Sequence, residues 1–121
     1  MNIKHIKQNG IDMALVSGKE KIIKDAQSAL DLAMTAKYEC GAYRIAIDKN
    51  VVTEEFFVLS SGMAGEILQK FLNYHIKAAV FGDYSHYTSK PLKDFIYEAN
   101  CGKDFFFLTT EEEALNKLTE V

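Results

Sequence analysis

The alternation of apolar and polar residues near the start of the chain predicts a β-hairpin. Residues 11–15 have the sequence Ile-Asp-Met-Ala-Leu, and a period of two is typical of a strand with one buried face. Asn9-Gly10 stands directly before it, and this pair strongly favours a two-residue hairpin turn. Residues 1–8 and 11–16 are therefore predicted to form two antiparallel strands.

Four later segments have apolar residues at the three- and four-residue spacing of an amphipathic helix. The first is predicted to begin at Ser17 and Glu20, which have the spacing of a capping box. It should carry Ile23 on its apolar face and end near Tyr38. Gly41 lies just beyond and is expected to form the C-terminal cap.

The third and fourth helices have equally clear starting signals. Ser89 or Lys90 is predicted to begin the third, with Pro91, the only proline, tolerated in its first turn. Thr109 and Thr110 precede the fourth, and each has a glutamate three residues further on.

Short apolar runs between the helices predict three further strands, at residues 43–48, 76–81 and 105–108. The resulting order, β-β-α-β-α-β-α-β-α, predicts a single α/β domain over residues 1–121. Its one mixed sheet should be mainly parallel, with an N-terminal antiparallel hairpin and helices packed on it. Because parallel strands bring their carboxyl ends to one edge, the turns that follow them form the expected functional surface.

Composition narrows the class of protein without naming a reaction. The chain has 121 residues, of which 48% are hydrophobic and 26% charged, as in globular domains. No apolar run approaches the roughly 20 residues that span a bilayer, and the basic N-terminus lacks the apolar region of a signal peptide. We therefore expect a cytoplasmic protein without a membrane partner.

The net charge and the positions of the cysteines and histidines argue against nucleic-acid binding, cysteine nucleophiles and metal binding. The net charge is −3, and no basic cluster is interleaved with aromatics, so no nucleic-acid partner is expected. Cys40 and Cys101 each precede a glycine at a predicted helix C-terminus, where the helix dipole disfavours a thiolate. The three histidines are not at ligand spacing from one another, so neither a metal nor a cofactor is predicted.

The start of the second helix is the first candidate site. The segment that runs to Tyr74 has the helical apolar spacing of Met63, Ile67 and Phe71, and Ser60, Ser61 and Gly62 stand directly before it. A serine there can cap free backbone N–H groups. The same N–H groups and the helix dipole would also favour an anion or a phosphorylated serine. Both interpretations are open from the sequence.

The loop after the fourth strand is the second candidate site. It holds six consecutive polar or aromatic residues: Asp83, Tyr84, Ser85, His86, Tyr87 and Thr88. A catalytic triad is disfavoured, because triads draw their members from separate segments of the chain. A ligand-contact or docking loop is a better interpretation, and turn-forming and packing roles for the same residues are the open alternative. The phenylalanine runs at residues 56–57 and 105–107 are expected to be core, with one ring of each left on the surface for a partner.

The element order, with Ser-Ser-Gly before the second helix, resembles the STAS domain (sulfate transporter and anti-sigma factor antagonist). Antagonists of that family carry Asp-Ser-Ser-Gly, and their second serine is phosphorylated. Ser60, Ser61 and Gly62 match the last three positions, and Leu59 replaces the aspartate. The resemblance implies that Ser61 is the phosphate acceptor.

A more specific resemblance is to a bacterial family of domains of unknown function, family 4180. It is carried by residues 53–57 (Thr-Glu-Glu-Phe-Phe), 62–71 (Gly-Met-Ala-Gly-Glu-Ile-Leu-Gln-Lys-Phe), 82–90 and 94–98. This resemblance implies kinship and no function.

Two functional hypotheses follow. The first is a non-enzymatic regulatory module that docks a protein partner through the region from Ser60 to Phe71, with Ser61 phosphorylation as a switch. The second is a small-ligand or nucleotide-binding domain, which could include an enzyme, at the strand C-terminal edge. Self-association is open under both.

Overall fold

The computed structural model describes residues 2–121, and Met1 of the predicted first strand lies outside them. Five strands and four α-helices occur within these residues, in the predicted order. The strands are β1 (Asn2–Gln8), β2 (Ile11–Ser17), β3 (Arg44–Asp48), β4 (Lys77–Phe81) and β5 (Phe105–Leu108). The helices are α1 (Ala26–Cys40), α2 (Met63–Asn73), α3 (Lys90–Cys101) and α4 (Glu111–Glu120). None of the helices in residues 2–121 has the length and apolarity needed to cross a membrane.

All five strands form one sheet in the order β1-β2-β3-β4-β5. β1 and β2 are antiparallel, and the other neighbours are parallel. The prediction of an α/β protein with one mixed, mainly parallel sheet and an N-terminal hairpin is therefore confirmed. Each strand lies beside the preceding one, so crossovers of a single hand place α1, α2 and α3 on the same face of the sheet.

The side-chain alternation of the strands divides the core between the two faces. Ile45 and Ile47 of β3 pack towards α1–α3, together with Phe105 and Phe107 of β5. On the other face, α4 alone covers a smaller cluster that includes Phe106, which is fully buried. The face under α1–α3 therefore holds most of the core, and the depressions between α2 and α3 lie on the same side.

The predicted start of α1 is wrong. Ser17 is the last residue of β2, and α1 begins nine residues later, at Ala26, with Asp25 as its N-cap. Asp25 accepts a hydrogen bond from the Ser28 amide at 2.7 Å, and Ser28 Oγ accepts one from the Asp25 amide at 3.1 Å. Ile23 is instead extended and pairs with Val52 in an isolated parallel bridge. Ile23 is buried in this extended pairing, which prevents a helix at this position. The partner Val52 is distant in the chain, so the local spacing of apolar residues does not indicate it.

The other helix ends match their sequence signals more closely. Gly41 caps α1 in the left-handed conformation at φ 63°, as predicted. Ser89 caps α3, with Pro91 in its first turn, and Thr110 forms a capping box with Glu113 at the start of α4. Gly102 is the C-cap of α3 in an extended conformation, and its amide donates to the Ala99 carbonyl at 3.0 Å.

Candidate functional site

Ser61 joins the start of α2 to the segment that precedes it. Its Oγ donates to the Glu55 carbonyl at 3.0 Å and accepts from the Met63 amide at 3.2 Å. Glu55 belongs to a short 3₁₀ turn, Glu54–Phe57. The hydroxyl therefore satisfies the first N–H of α2 and holds this turn against it. Ser61 Oγ caps this N–H from the position before Gly62. Both serines are exposed, and Ser60 forms part of a surface depression.

Gly62 and Gly65 have different reasons to be glycine. Gly62 is the residue before α2 and has φ 81°, a backbone conformation that L side chains rarely adopt. Gly65 lies inside α2, where a glycine is unfavourable relative to alanine. An added Cβ at Gly65 would meet nothing within 4 Å. Within residues 2–121, side-chain packing therefore does not account for Gly65, and close approach of another group to its backbone stays open.

The predicted partner-facing phenylalanines are buried. Phe56, Phe57, Phe105, Phe106 and Phe107 are each at most 5% exposed, so the expectation that one ring of each run lies on the surface is wrong. Phe56 packs edge-on against Phe57 at 4.9 Å between ring centroids, and lies 6.1 Å from the Phe107 ring. The 3₁₀ turn therefore covers β5 as part of the core.

Two tyrosines of the candidate loop are held by the protein itself. Tyr84 Oη donates to the Val80 carbonyl at 2.7 Å, and burial raises the pKa of Tyr84. Tyr87 Oη donates to Glu54 Oε2 at 2.7 Å. Burial, followed by the hydrogen bond to Glu54, raises the pKa of Tyr87 as well. Both phenols remain protonated, and their hydroxyls hold the loop to β4 through Val80 and to the 3₁₀ turn through Glu54.

The remaining residues of the loop are more accessible. Asp83 accepts from the Ser85 amide at 2.8 Å, and hydrogen bonds from Ser85 lower the pKa of Asp83. The His86 ring packs on Tyr87, with the centroids 4.1 Å apart. Asp83, Ser85, His86 and Thr88 are all exposed. Asp83 thus closes a turn with Ser85, which is a local backbone role.

Sequence reasoning missed the lysine and glutamate that organise this edge. Lys49 Nζ lies 3.2 Å from Glu54 Oε1, 4.8 Å from the Phe57 ring centroid and 4.9 Å from that of Tyr87. Burial would raise the pKa of Glu54, but hydrogen bonds from Tyr87 and Lys49 outweigh it and lower the pKa. A Cβ at Gly82 would come within 2.6 Å of Lys49 Cβ. Gly82 therefore makes room for Lys49.

An apolar groove separates α2 from α3. Its volume is about 370 Å³, within the size range of protein binding sites. The apolar residues that line it are Leu68, Phe71, Leu72, Ile76, Ala99 and Phe105, and the polar ones include Gln69, Glu98, Lys103 and Asp104. Gly65 also lines it, and Leu72 is 48% exposed. We call this feature the α2–α3 groove.

A second depression, of about 540 Å³, lies near the N-terminal ends of the same two helices. It is lined by Phe57, Val58, Leu59, Ser60, Ser89 and Pro91. Ser60 is thus the predicted site residue that lies in an open surface feature beside apolar side chains.

The only sequence signal for the α2–α3 groove was Gly65, a glycine in the interior of an amphipathic helix.

The donor groups of residues 2–121 form no cluster of three or more histidine, cysteine, aspartate or glutamate residues that could hold a metal ion. Cys40 and Cys101 are free thiols. Burial, followed by the charge of Glu39, raises the pKa of Cys40, which favours its protonated form.

These features define a single-sheet α/β protein with a tightly packed strand C-terminal edge and an apolar interhelical groove. The chain belongs to the family described as Domain of unknown function (DUF4180), whose model matches residues 8–118. No curated protein and no solved structure matches the chain significantly. The resemblance to STAS domains stays a prediction.

Proposed function

We propose that this protein is a non-enzymatic docking module that binds a helical segment of a partner protein in the α2–α3 groove. The open backbone at Gly65 is the observation that carries the proposal. A glycine inside a helix costs about 1 kcal/mol relative to alanine. Gly65 gains no contact within the chain in return, because a Cβ would meet nothing within 4 Å. The vacant space beside α2 suits the close approach of an external group.

The shape of the groove favours a helix as the bound group. An amphipathic helix binds by laying its apolar face into a hydrophobic groove. α2 has 11 residues, which corresponds to about 16 Å of helix length, or three turns. Leu68 and Leu72 lie one turn apart on the wall of the groove and match the spacing of apolar residues on a docked helix.

Filling the groove at Gly65 should abolish docking without unfolding the protein. We expect Gly65→Leu to reduce partner capture by at least about tenfold, since roughly 1.4 kcal/mol of lost contact suffices for that. The added side chain enters open space, and leucine is the better helix former. The measurement is capture from cells through a photo-cross-linker at Gln69, which lines the groove.

The matched control is Lys70→Leu, which adds the same side chain on the exposed part of α2, away from the groove. It should leave capture unchanged. Equal capture by wild type and Gly65→Leu would refute docking in this groove. Specific stabilisation by a small molecule, lost in His86→Ala, would instead support the ligand-binding alternative at the strand C-terminal edge.

Phosphorylation of Ser61 is the proposed switch within this docking module. An esterified Oγ cannot donate to the Glu55 carbonyl, so the modification would break the bond that holds the 3₁₀ turn against α2. It would also add close to two negative charges at the N-terminus of α2. Both changes alter the surface beside the groove.

The switch predicts a gain of one phosphate in intact mass after incubation with host lysate and ATP, absent in Ser61→Ala. It also predicts that Ser61→Asp changes partner capture by about threefold or more, in line with a charge effect of roughly 0.7 kcal/mol at a helix terminus. Unmodified mass together with unchanged capture by Ser61→Asp would eliminate the switch and leave the docking proposal intact.

A further inference from the structure

A third cavity lies at the end of the sheet where β2, β3 and β4 begin, opposite the end that carries the candidate loop. Its volume is about 330 Å³, and its lining includes Gly41, Arg44, His75 and Lys77. None of these residues belongs to the α2–α3 groove or to the candidate loop. Arg44, His75 and Lys77 can each carry a positive charge, although the net charge of the protein is −3.

Arg44 and Lys77 are an unfavourable pair of neighbours. They are register partners on the parallel strands β3 and β4, so their side chains leave the same face of the sheet. Two like charges placed side by side across strands destabilise a sheet. Lys77 Nζ is partly compensated by Asp104 at 3.2 Å and the Lys103 carbonyl at 2.9 Å. One Arg44 nitrogen donates to the Val121 backbone oxygen, and a guanidinium has further N–H donors.

His75 adds a second unfavourable feature at the same cavity. It follows α2 with φ 59°, the left-handed conformation that glycine adopts most easily. The Ile76 amide donates to the Phe71 carbonyl at 2.8 Å, and the His75 amide to the Leu72 carbonyl at 3.1 Å, so the turn itself is well formed. A histidine in place of glycine therefore carries backbone strain, and such strain is concentrated at functional sites.

The cavity also has open backbone, and its described lining holds a single carboxylate. An added Cβ at Gly41 would meet nothing within 4 Å, so a bound group could approach the main chain closely. Asp12 contributes the one carboxylate of the described lining. Asp12 is engaged with His5 at 2.8 Å, outside that lining. Asp104 lies outside this lining and pairs with Lys77, so the lining itself holds Arg44, Lys77 and His75 against one carboxylate.

We infer that this cavity is a binding site for a small oxyanion, the group that phosphate esters and carboxylates share. A bound anion relieves the repulsion between Arg44 and Lys77 and gives the His75 ring a partner. The planar guanidinium of Arg44 binds such a group through paired N–H donors, and Lys77 supplies a point charge. We call this cavity the oxyanion site.

The test is a titration of the full chain with inorganic phosphate, followed by amide chemical shifts in ¹H–¹⁵N NMR spectra at constant ionic strength. We expect saturable shifts at Gly41, Arg44, His75 and Lys77, with a millimolar Kd. Arg44→Gln should weaken binding by about tenfold or more, because a hydrogen bond to a charged group is lost. Lys93→Gln removes an exposed charge on α3, outside the cavity, and should leave the Kd unchanged.

Lys77→Gln provides a second variant if Arg44→Gln does not fold, and dispersed NMR spectra establish folding in each case. Saturation with acetate as well as phosphate identifies carboxylates as ligands of the same site. The inference is overturned by the absence of saturable shifts with either anion up to tens of millimolar. It is also overturned if the folded variant binds as well as Lys93→Gln.

Discussion

Replacing Phe56 with alanine should lower the free energy of unfolding by about 4 kcal/mol. Phe56 is 1% exposed, and its ring lies within 6.3 Å, between centroids, of those of Phe57, Phe105 and Phe107. The alanine variant leaves a cavity where the 3₁₀ turn covers β5, and a packed interior closes such a cavity only in part. A loss of this size is a large fraction of the roughly 5–15 kcal/mol that stabilises a domain.

Urea unfolding at neutral pH measures this change, with Val58→Ala as the matched control. Val58 is two residues away and 54% exposed, so its truncation should cost no more than about 0.5 kcal/mol. If both variants lost the same small amount, the 3₁₀ turn would be a surface feature, contrary to its burial.

Replacing Asn100 with alanine should cost about 2–3 kcal/mol, because two backbone groups of β5 lose their partners. Asn100 Oδ1 accepts from the Phe107 amide at 2.7 Å, and its Nδ2 donates to the Phe107 carbonyl at 3.1 Å. β5 is an edge strand, and the side-chain amide occupies the positions that another strand would take. The variant therefore exposes pairing groups on an apolar run, which is a template for aggregation.

Two measurements check this prediction: urea unfolding and light scattering during incubation near the unfolding midpoint. Asn73→Ala is the control, since within residues 2–121 the exposed Asn73 side chain bonds only Gln69, one turn away in α2. It should change the free energy of unfolding by about 0.5 kcal/mol or less. Asn100→Asp keeps the acceptor and loses the donor, so it should be intermediate. Equal stability and equal scattering of the Asn100→Ala and Asn73→Ala variants would contradict edge protection.

The secondary structure was largely predictable because most of its signals are local. The hairpin at Asn9-Gly10 and the helix starts at Ser89 and Thr110 depend on residues within a few positions of each other. The start of α1 was not predictable in this way. Ile23, which the local spacing assigned to the helix, is instead extended and pairs with Val52, which is distant in the chain, and the helix starts after it at the Asp25–Ser28 capping box.

The candidate sites likewise combine features that the sequence predicted with features that depend on the tertiary structure. The position of Ser61 before a helix was predictable, but its bond to the Glu55 carbonyl depends on how the preceding segment folds back. The polar loop at residues 82–88 suggested ligand contacts, yet Tyr84 and Tyr87 bond to groups of the protein itself. Lys49 and Glu54 gave no sequence signal, because each is an ordinary charged residue until the sheet edge brings them together.

The sequence by itself determined the α/β class, the order of strands and helices and most helix caps, since hydrophobic period and capping chemistry act over short distances. The tertiary structure alone decided which surfaces stay open. The α2–α3 groove exists because α2 and α3 pack on the sheet with a gap beside Gly65. The oxyanion site exists because strand register places Arg44 next to Lys77. Both depend on contacts between segments that are far apart in the chain, and apart from the glycine inside α2 no local pattern indicates them.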